Sequence, residues 1–178
     1  TYSSEFDAGQ PGFLLINGSF DASPDIFQAE LMDPYENLKG LEELEEKCNS
    51  VEQTTAVSIV FLMKAISVTV DLDGEPILDA LPDATPQPIA DVAELIFNQS
   101  VTGNGSFWLS LATLDRQDNN GGLEAQNFLL YVFYSSLTDE MRELFLDEKK
   151  MASLIYVDMP FMDVQSTEKA VSQIDNYA

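Results

Sequence analysis

The side chains that usually carry chemistry are thinly supplied in this chain, which has no histidine and one cysteine against 31 aspartates and glutamates. A serine or cysteine nucleophile needs a base that takes and returns a proton near neutrality, so neither a Ser-His nor a Cys-His pair can be assembled. Zinc sites built from Cys and His fail on the same count. Carboxylates abound, yet nothing in their spacing selects one pair for acid–base work. Ligands for a hard cation cluster in Asp71-Leu-Asp73-Gly-Glu75 and Asp115-Arg-Gln-Asp118-Asn-Asn120. Neither run has the loop length, central glycine and closing glutamate of a calcium-binding EF-hand, so both read as exposed acidic turns. Gly103-Asn-Gly105 and Gly121-Gly122 lack the lysine or the glycine spacing that cradles a phosphate. The expectation is a non-enzymatic protein with no catalytic residue, no metal and no cofactor.

Large apolar side chains are the more telling set. Phe107, Trp108, Phe128 and Tyr131, with Phe133 and Tyr134 beside them, supply more aromatic surface than one thin helical layer needs. Either a core absorbs them or they line a greasy cleft. On the second reading Phe107, Trp108, Phe128 and Tyr131 belong to a binding surface for an amphiphile or for a neighbouring domain.

The net charge of −23 repels phosphate backbones and anionic headgroups, which sets nucleic acid aside as a partner. An apolar fraction of 45% nevertheless predicts a folded chain with a substantial core. Asn17-Gly-Ser, Asn98-Gln-Ser and Asn104-Gly-Ser are acceptor sequons that point outward from the cytoplasm. Leu95 to Leu114 is interrupted by Asn98, Gln99, Thr102 and Gly103, so it does not read as a membrane span.

Positioning begins with Phe13-Leu-Leu-Ile-Asn-Gly-Ser-Phe20, whose near-continuous apolar character predicts a central strand. After a loop carrying Pro24, Asp33-Pro34-Tyr35-Glu36 has the cap, first-turn proline and capping-box glutamate of a helix start. Tyr35, Leu38, Leu41, Leu44 and Cys48 then form its apolar stripe, on which the thiol should be buried and inert, while Glu42, Glu43, Glu45, Glu46 and Lys47 take the wet face. A strand is predicted over 54–59 and an apolar helix over 60–66, capped by Ser58.

Residues 68–150 carry turn and helix signals in place of strands, with helices predicted over 89–97, 107–114, 123–134 and from Thr138. At Ala152-Ser-Leu-Ile-Tyr-Val-Asp-Met159 a strand returns, followed by a helix over 166–177. The chain thus divides into a first βαβ arm (1–67), a helical insertion (68–150) and a second βα arm (151–178). A βα unit wants another strand, and the first residue is Thr1, so the chain is expected to be a piece of a longer polypeptide. With that absent last strand the fold class is α+β, a ferredoxin-like split βαβ plait carrying a large helical insertion.

Phe6-Asp-Ala-Gly-Gln-Pro-Gly-Phe-Leu-Leu-Ile16, the acidic Leu-Glu-Glu-Leu helix of Asp33 to Glu46, the run Val51 to Ile66, the Leu81-Pro82 turn and Ile155-Tyr-Val-Asp-Met159 leading to Ser166-Thr-Glu-Lys-Ala-Val171 follow one another in a familiar order. Together they resemble an extracytoplasmic porter loop of the resistance-nodulation-division (RND) exporter superfamily, in its hydrophobe/amphiphile branch. The resemblance implies a plait whose last strand leads back to a cell membrane, with the rest of a membrane-spanning chain, a second porter loop and a hydrophobic or amphiphilic substrate as partners. It also implies that Phe107, Trp108, Phe128 and Tyr131 are the candidate residues of the substrate path, so that Trp108→Ala should lower export while leaving the fold nearly intact. A homo-oligomer is a further expectation. The acidic residues that couple such exporters to protons lie in their membrane helices and map onto no position here. The competing expectation is an extracytoplasmic ligand-binding or sensor domain of a membrane-anchored protein.

Overall fold

The computed structural model describes residues 10–18, 20, 34–102, 106–116, 122–159 and 163–177. Strand β1 (Gln10–Asn17), helix α1 (Pro34–Asn49) and the short strand β2 (Thr55–Val57) open the chain. Helix α2 (Ile59–Ser67), a 3-10 turn at Ile77–Ala80, α3 (Gln87–Thr102), α4 (Phe107–Arg116), α5 (Gly122–Ser135) and the short α6 (Asp139–Glu143) follow. Strand β3 (Ala152–Met159) and helix α7 (Val164–Asp175) close it. The fold is α+β with a small antiparallel sheet.

In that sheet the order is β1-β3-β2, and β3 runs antiparallel to both neighbours. Strands β1 and β2 therefore point the same way with β3 between them and α1 joining them. Period-two alternation decides the faces. Ser153, Ile155, Val157 and Met159 of β3 are buried, as is Ala56 of β2, whereas Tyr156 is exposed. Tyr156 lies opposite Phe13 on one side and Val57 on the other, and Leu154 lies opposite Leu15.

The expectation of a central strand at β1 needs correction: among the described residues it has a neighbour on one side alone. A bond from Gly18 N to Met151 O, 3.0 Å, continues the β1–β3 register and sets its phase. Antiparallel pairs alternate between bonded and non-bonded, so Gly12, Leu14 and Ile16 turn their backbone groups toward β3, and Phe13, Leu15 and Asn17 turn theirs away. The far edge of β2 is treated differently. There the Asn49 carboxamide accepts from Ala56 N at 2.7 Å and donates to Ala56 O at 3.1 Å, standing in for a neighbouring strand.

Beyond β2 the sheet line resumes only at Leu146, which bridges Ser153, with Leu154 N donating to Phe145 O at 2.7 Å. Helices α2 to α6 thus enter where a β2–β3 hairpin would turn.

The chain forms two compact units. One, the sheet unit, holds Thr1–Phe20, Asn37–Val60 and Glu140–Ala178; the other, the helical unit, holds Asp21–Glu36 and Phe61–Asp139. Buried in the sheet unit are Leu38, Leu41 and Cys48 of α1, Ile59, and Ala170 and Ile174 of α7, besides the inner sheet face. In the helical unit α4 packs against both α3 and α5. Ile96, Leu111, Leu129, Leu130 and Phe133 are fully buried there, each such side chain contributing about 1.5–3 kcal/mol by leaving water.

Helix α1 begins at Pro34, the first-turn position expected for proline, while its expected cap Asp33 and the Pro24 loop lie outside the described residues. Its acidic face is not uniformly wet: Glu42 and Glu45 are buried. Glu45 falls at the spacing of Leu38, Leu41 and Cys48, so the stripe turns a carboxylate inward with its leucines.

Candidate functional site

Helix α4 opens on a serine cap, Ser106 Oγ accepting from Leu109 N at 3.3 Å, which sets Phe107 and Trp108 in its first turn. The Trp108 ring meets Tyr35 edge-on, centroids 5.3 Å apart at 88°, and Phe107 in the same manner at 5.0 Å and 89°. Phe107 in turn lies 5.6 Å from Phe133 of α5. Tyr35 finds its polar partner locally, donating from its hydroxyl to the Trp108 carbonyl at 3.2 Å.

Only 6% of Phe107 and 8% of Trp108 is exposed, so these two of the four candidate path residues lie in the core of the helical unit. Removing Trp108 would take away packing, and its substitution cannot leave the fold nearly intact. Phe128 and Tyr131 are half-buried, and with Ser135 they mark the outward face of α5 at three- and four-residue spacing. Leu109, one residue past Trp108, is 61% exposed. The structure therefore gathers Phe107 and Trp108 into one cluster and leaves Phe128 and Tyr131 where a ligand can reach them.

Polar ties cross this helical core. Ser110 Oγ donates to Gln99 Oε1 at 2.9 Å, linking α4 to α3, and Gln126 Nε2 donates to the Leu111 carbonyl at 3.2 Å, linking α5 to α4. Asn127 Oδ1 is buried with no bond. Such bonds pin helix orientation inside an otherwise greasy stack.

In the sheet unit Ser58 is fully buried between β2 and α2. Its N–H donates to Glu45 Oε2 at 2.9 Å, its hydroxyl donates to the same oxygen, and its Oγ accepts from Val60 N at 3.2 Å, so the expected cap is present. Burial and the neighbouring Glu45 charge push the Cys48 thiol above its ordinary range, so it stays protonated near neutrality and is a poor nucleophile. Ser50, Glu52 and Gln53, with Asp163, Ser166, Lys169 and Gln173, line an open polar cavity of about 530 Å³. Gln53 holds a left-handed backbone, φ 63°. Asp163 is committed elsewhere: its carboxylate accepts from Ser166 N at 3.0 Å and from Ser166 Oγ at 2.8 Å, capping α7. The Ser166 hydroxyl first, then its backbone N–H, hold the Asp163 carboxyl below the usual range.

Among the described residues no group of three or more His, Cys, Asp or Glu side chains could hold a metal ion. Asp71 shows how its acidic turn is used instead, accepting from Asp73 N at 2.8 Å and Glu75 N at 3.0 Å around Gly74 at φ 85°. Residues 117–120 of the second acidic run, Gly121, and Gly103 to Gly105 lie outside the described residues. Of the sequons, Asn17 and Asn98 are exposed and Asn104 lies outside that set. No helix among the described residues is long and apolar enough to cross a membrane.

No family model matches the chain, and neither the curated proteins nor the solved structures give a match.

Glu45 and Asn49 escape sequence reasoning because each sits on a charged or polar stretch. The retrievable signal is phase: Glu45 shares the spacing of the buried leucines.

Proposed function

We propose that this chain is an extracytoplasmic porter domain of a proton-driven RND-type exporter, forming part of the path for hydrophobic or amphiphilic molecules. One observation carries the reading: β1 and β2 run parallel on either side of an antiparallel β3, with α7 following β3. That order fits three strands of a ferredoxin-like split βαβ plait, in which the fourth strand lies beside β1. The uncharged Gln10–Asn17 suits a strand with neighbours on both sides, which the fourth strand would supply. The helical insertion takes the place of the hairpin between β2 and β3.

In this reading the plait is a rigid lever. Proton flow through membrane helices elsewhere in the polypeptide tilts it against a second porter loop, and an apolar path opens and closes by rigid-body shifts. Phe128 and Tyr131 of α5 and Leu109 of α4 are among the accessible apolar side chains of the insertion and would touch the cargo, while Phe107 and Trp108 hold its shape.

The coding sequence on either side tests the proposal, since an exporter requires about a dozen membrane spans and a second similar loop. In the intact exporter, replacing Phe128 and Tyr131 together by serine should slow efflux of an amphiphilic dye several-fold with surface abundance unchanged. Unchanged efflux removes the insertion from the path.

A second reading, a ligand-binding or sensor domain of a membrane-anchored protein, draws support from the polar cavity beside α7, whose amides and hydroxyls suit a small polar ligand. It predicts one or two spans in place of a dozen.

A further inference from the structure

The polar cavity of about 530 Å³ lies wholly inside the sheet unit, between the α1–β2 turn and α7. Both walls are fixed from behind. Under the turn, the buried Thr54 hydroxyl bonds the Cys48 and Val51 carbonyls at 2.5 and 3.0 Å, and Thr54 N donates to Val51 O at 3.2 Å. Across the cavity the Asp163 cap starts α7, and Ala170 and Ile174 bury its inner side. Ser166, Lys169 and Gln173 recur at three- and four-residue spacing, so a hydroxyl, an ammonium and an amide share the stripe of α7 that lines the opening.

The polar lining divides into two sets. Ser50, Asp163 and Ser166 spend their bonds locally, on the Lys47 carbonyl and on the α7 cap. Glu52, Gln53, Lys169 and Gln173 bond nothing among the described residues, so Glu52 and Lys169 carry opposite charges into one cavity without pairing. Lys169 does not lack carboxylates to choose from, since 31 stand against 8 lysines and arginines in the chain.

We infer that this cavity takes a small zwitterion of the α-amino-acid class, with its ammonium against Glu52, its carboxylate against Lys169 and the Gln53 and Gln173 amides for the remainder. Charge selects the class. A simple anion meets Glu52 and Asp163 as well as Lys169, a simple cation meets Lys169, and a ligand carrying both charges has a partner for each. With no net charge of its own, it also approaches a body of −23 without long-range repulsion. Both charged side chains are exposed, so each pair contributes about two- to fivefold in affinity and the site is weak. This assignment rests on the ligand-binding reading of the same cavity, yet the two fail separately: the number of membrane spans decides the sensor, and the 178-residue chain decides the ligand.

Amide NMR titration of that chain with glycine and with L-glutamine, at millimolar concentrations, is the test. Both should shift the amides of 50–53 and 166–173 saturably. Glycinamide, which lacks the carboxylate, and N-acetylglycine, which lacks the ammonium, should bind about two- to fivefold more weakly than glycine. Glu52→Gln should abolish the preference for glycine over N-acetylglycine and keep that over glycinamide, and Lys169→Gln should do the reverse. A merely structural role would not divide the two preferences in this way, and both side chains are exposed, so neither change threatens the fold. No saturable shift with either amino acid, a blocked compound that binds as tightly as glycine, or preferences that survive the substitutions would each overturn the inference.

Discussion

The sheet unit and the helical unit bury different kinds of polar group. Inside the sheet unit lie a carboxylate, Glu45, and a serine, Ser58, bonded to each other, while Phe13 and Leu15 stand in water. The helical unit keeps its aromatic cluster of Tyr35, Phe107, Trp108 and Phe133 inside and ties its helices with neutral amides and a hydroxyl. Both units leave apolar side chains in water, Leu72 and Leu109 among them in the helical unit, but in the sheet unit Phe13 and Leu15 stand along a strand edge whose outward backbone groups no described residue bonds. That edge gives the sheet unit room for a further strand.

The comparison breaks most readily at Trp108. Trp108→Ala should cost about 3–5 kcal/mol in urea unfolding, as for other buried large-to-small aromatic changes. A loss below about 1 kcal/mol would mean that the aromatic cluster is not a core, and the cleft reading of all four aromatics would revive.

Glu45→Ala comes next, because it strips the acceptor from buried Ser58 N–H and hydroxyl groups. The expected loss is about 1–3 kcal/mol, with Glu45→Gln recovering part of it through its remaining oxygen. Equal losses for the two variants would show that the bond to Ser58 is not what the carboxylate contributes.

Smaller effects sharpen the picture. Phe128→Ser and Tyr131→Ser should each destabilise less than Trp108→Ala by the same assay, since both side chains already face water in part. Asp163 should contribute to stability above the ordinary aspartate range, because its folded form is the more acidic. That contribution fades as pH falls through its lowered folded value, and Asp163→Asn should flatten this acid limb of a melting-temperature profile. Cys48 should resist a thiol reagent in the folded chain and react on unfolding, a loss of protection that mass spectrometry reads directly.

Much of this was legible in the residues. The apolar run of Ala152–Met159 announces a strand but not its faces, since Ser153 turns inward while Leu154 and Tyr156 lie on the other side; the Ser58 cap and the first-turn Pro34 announce two helix starts. Helix α7 begins at Val164, ahead of the predicted 166, because Asp163 takes the cap. The 3-10 turn at Ile77–Ala80 carries no periodic signal by which its residues would predict it. Glu45 was misplaced because a carboxylate is assigned to water by type, and only its bonds to Ser58 reverse that. The division of the aromatics was out of reach for a related reason: Phe107 and Phe128 look alike in sequence, and tertiary packing alone separates a core ring from an outward one.

Amide hydrogen exchange along β1 in dilute salt tests the open edge most directly. The account predicts alternation, with slow exchange at Gly12, Leu14 and Ile16, whose N–H groups bond β3, and fast exchange at Phe13, Leu15 and Asn17. Uniform protection of all six in a chain shown to be monomeric would mean that another segment already fills the edge, and the proposed plait would lose the place of its fourth strand.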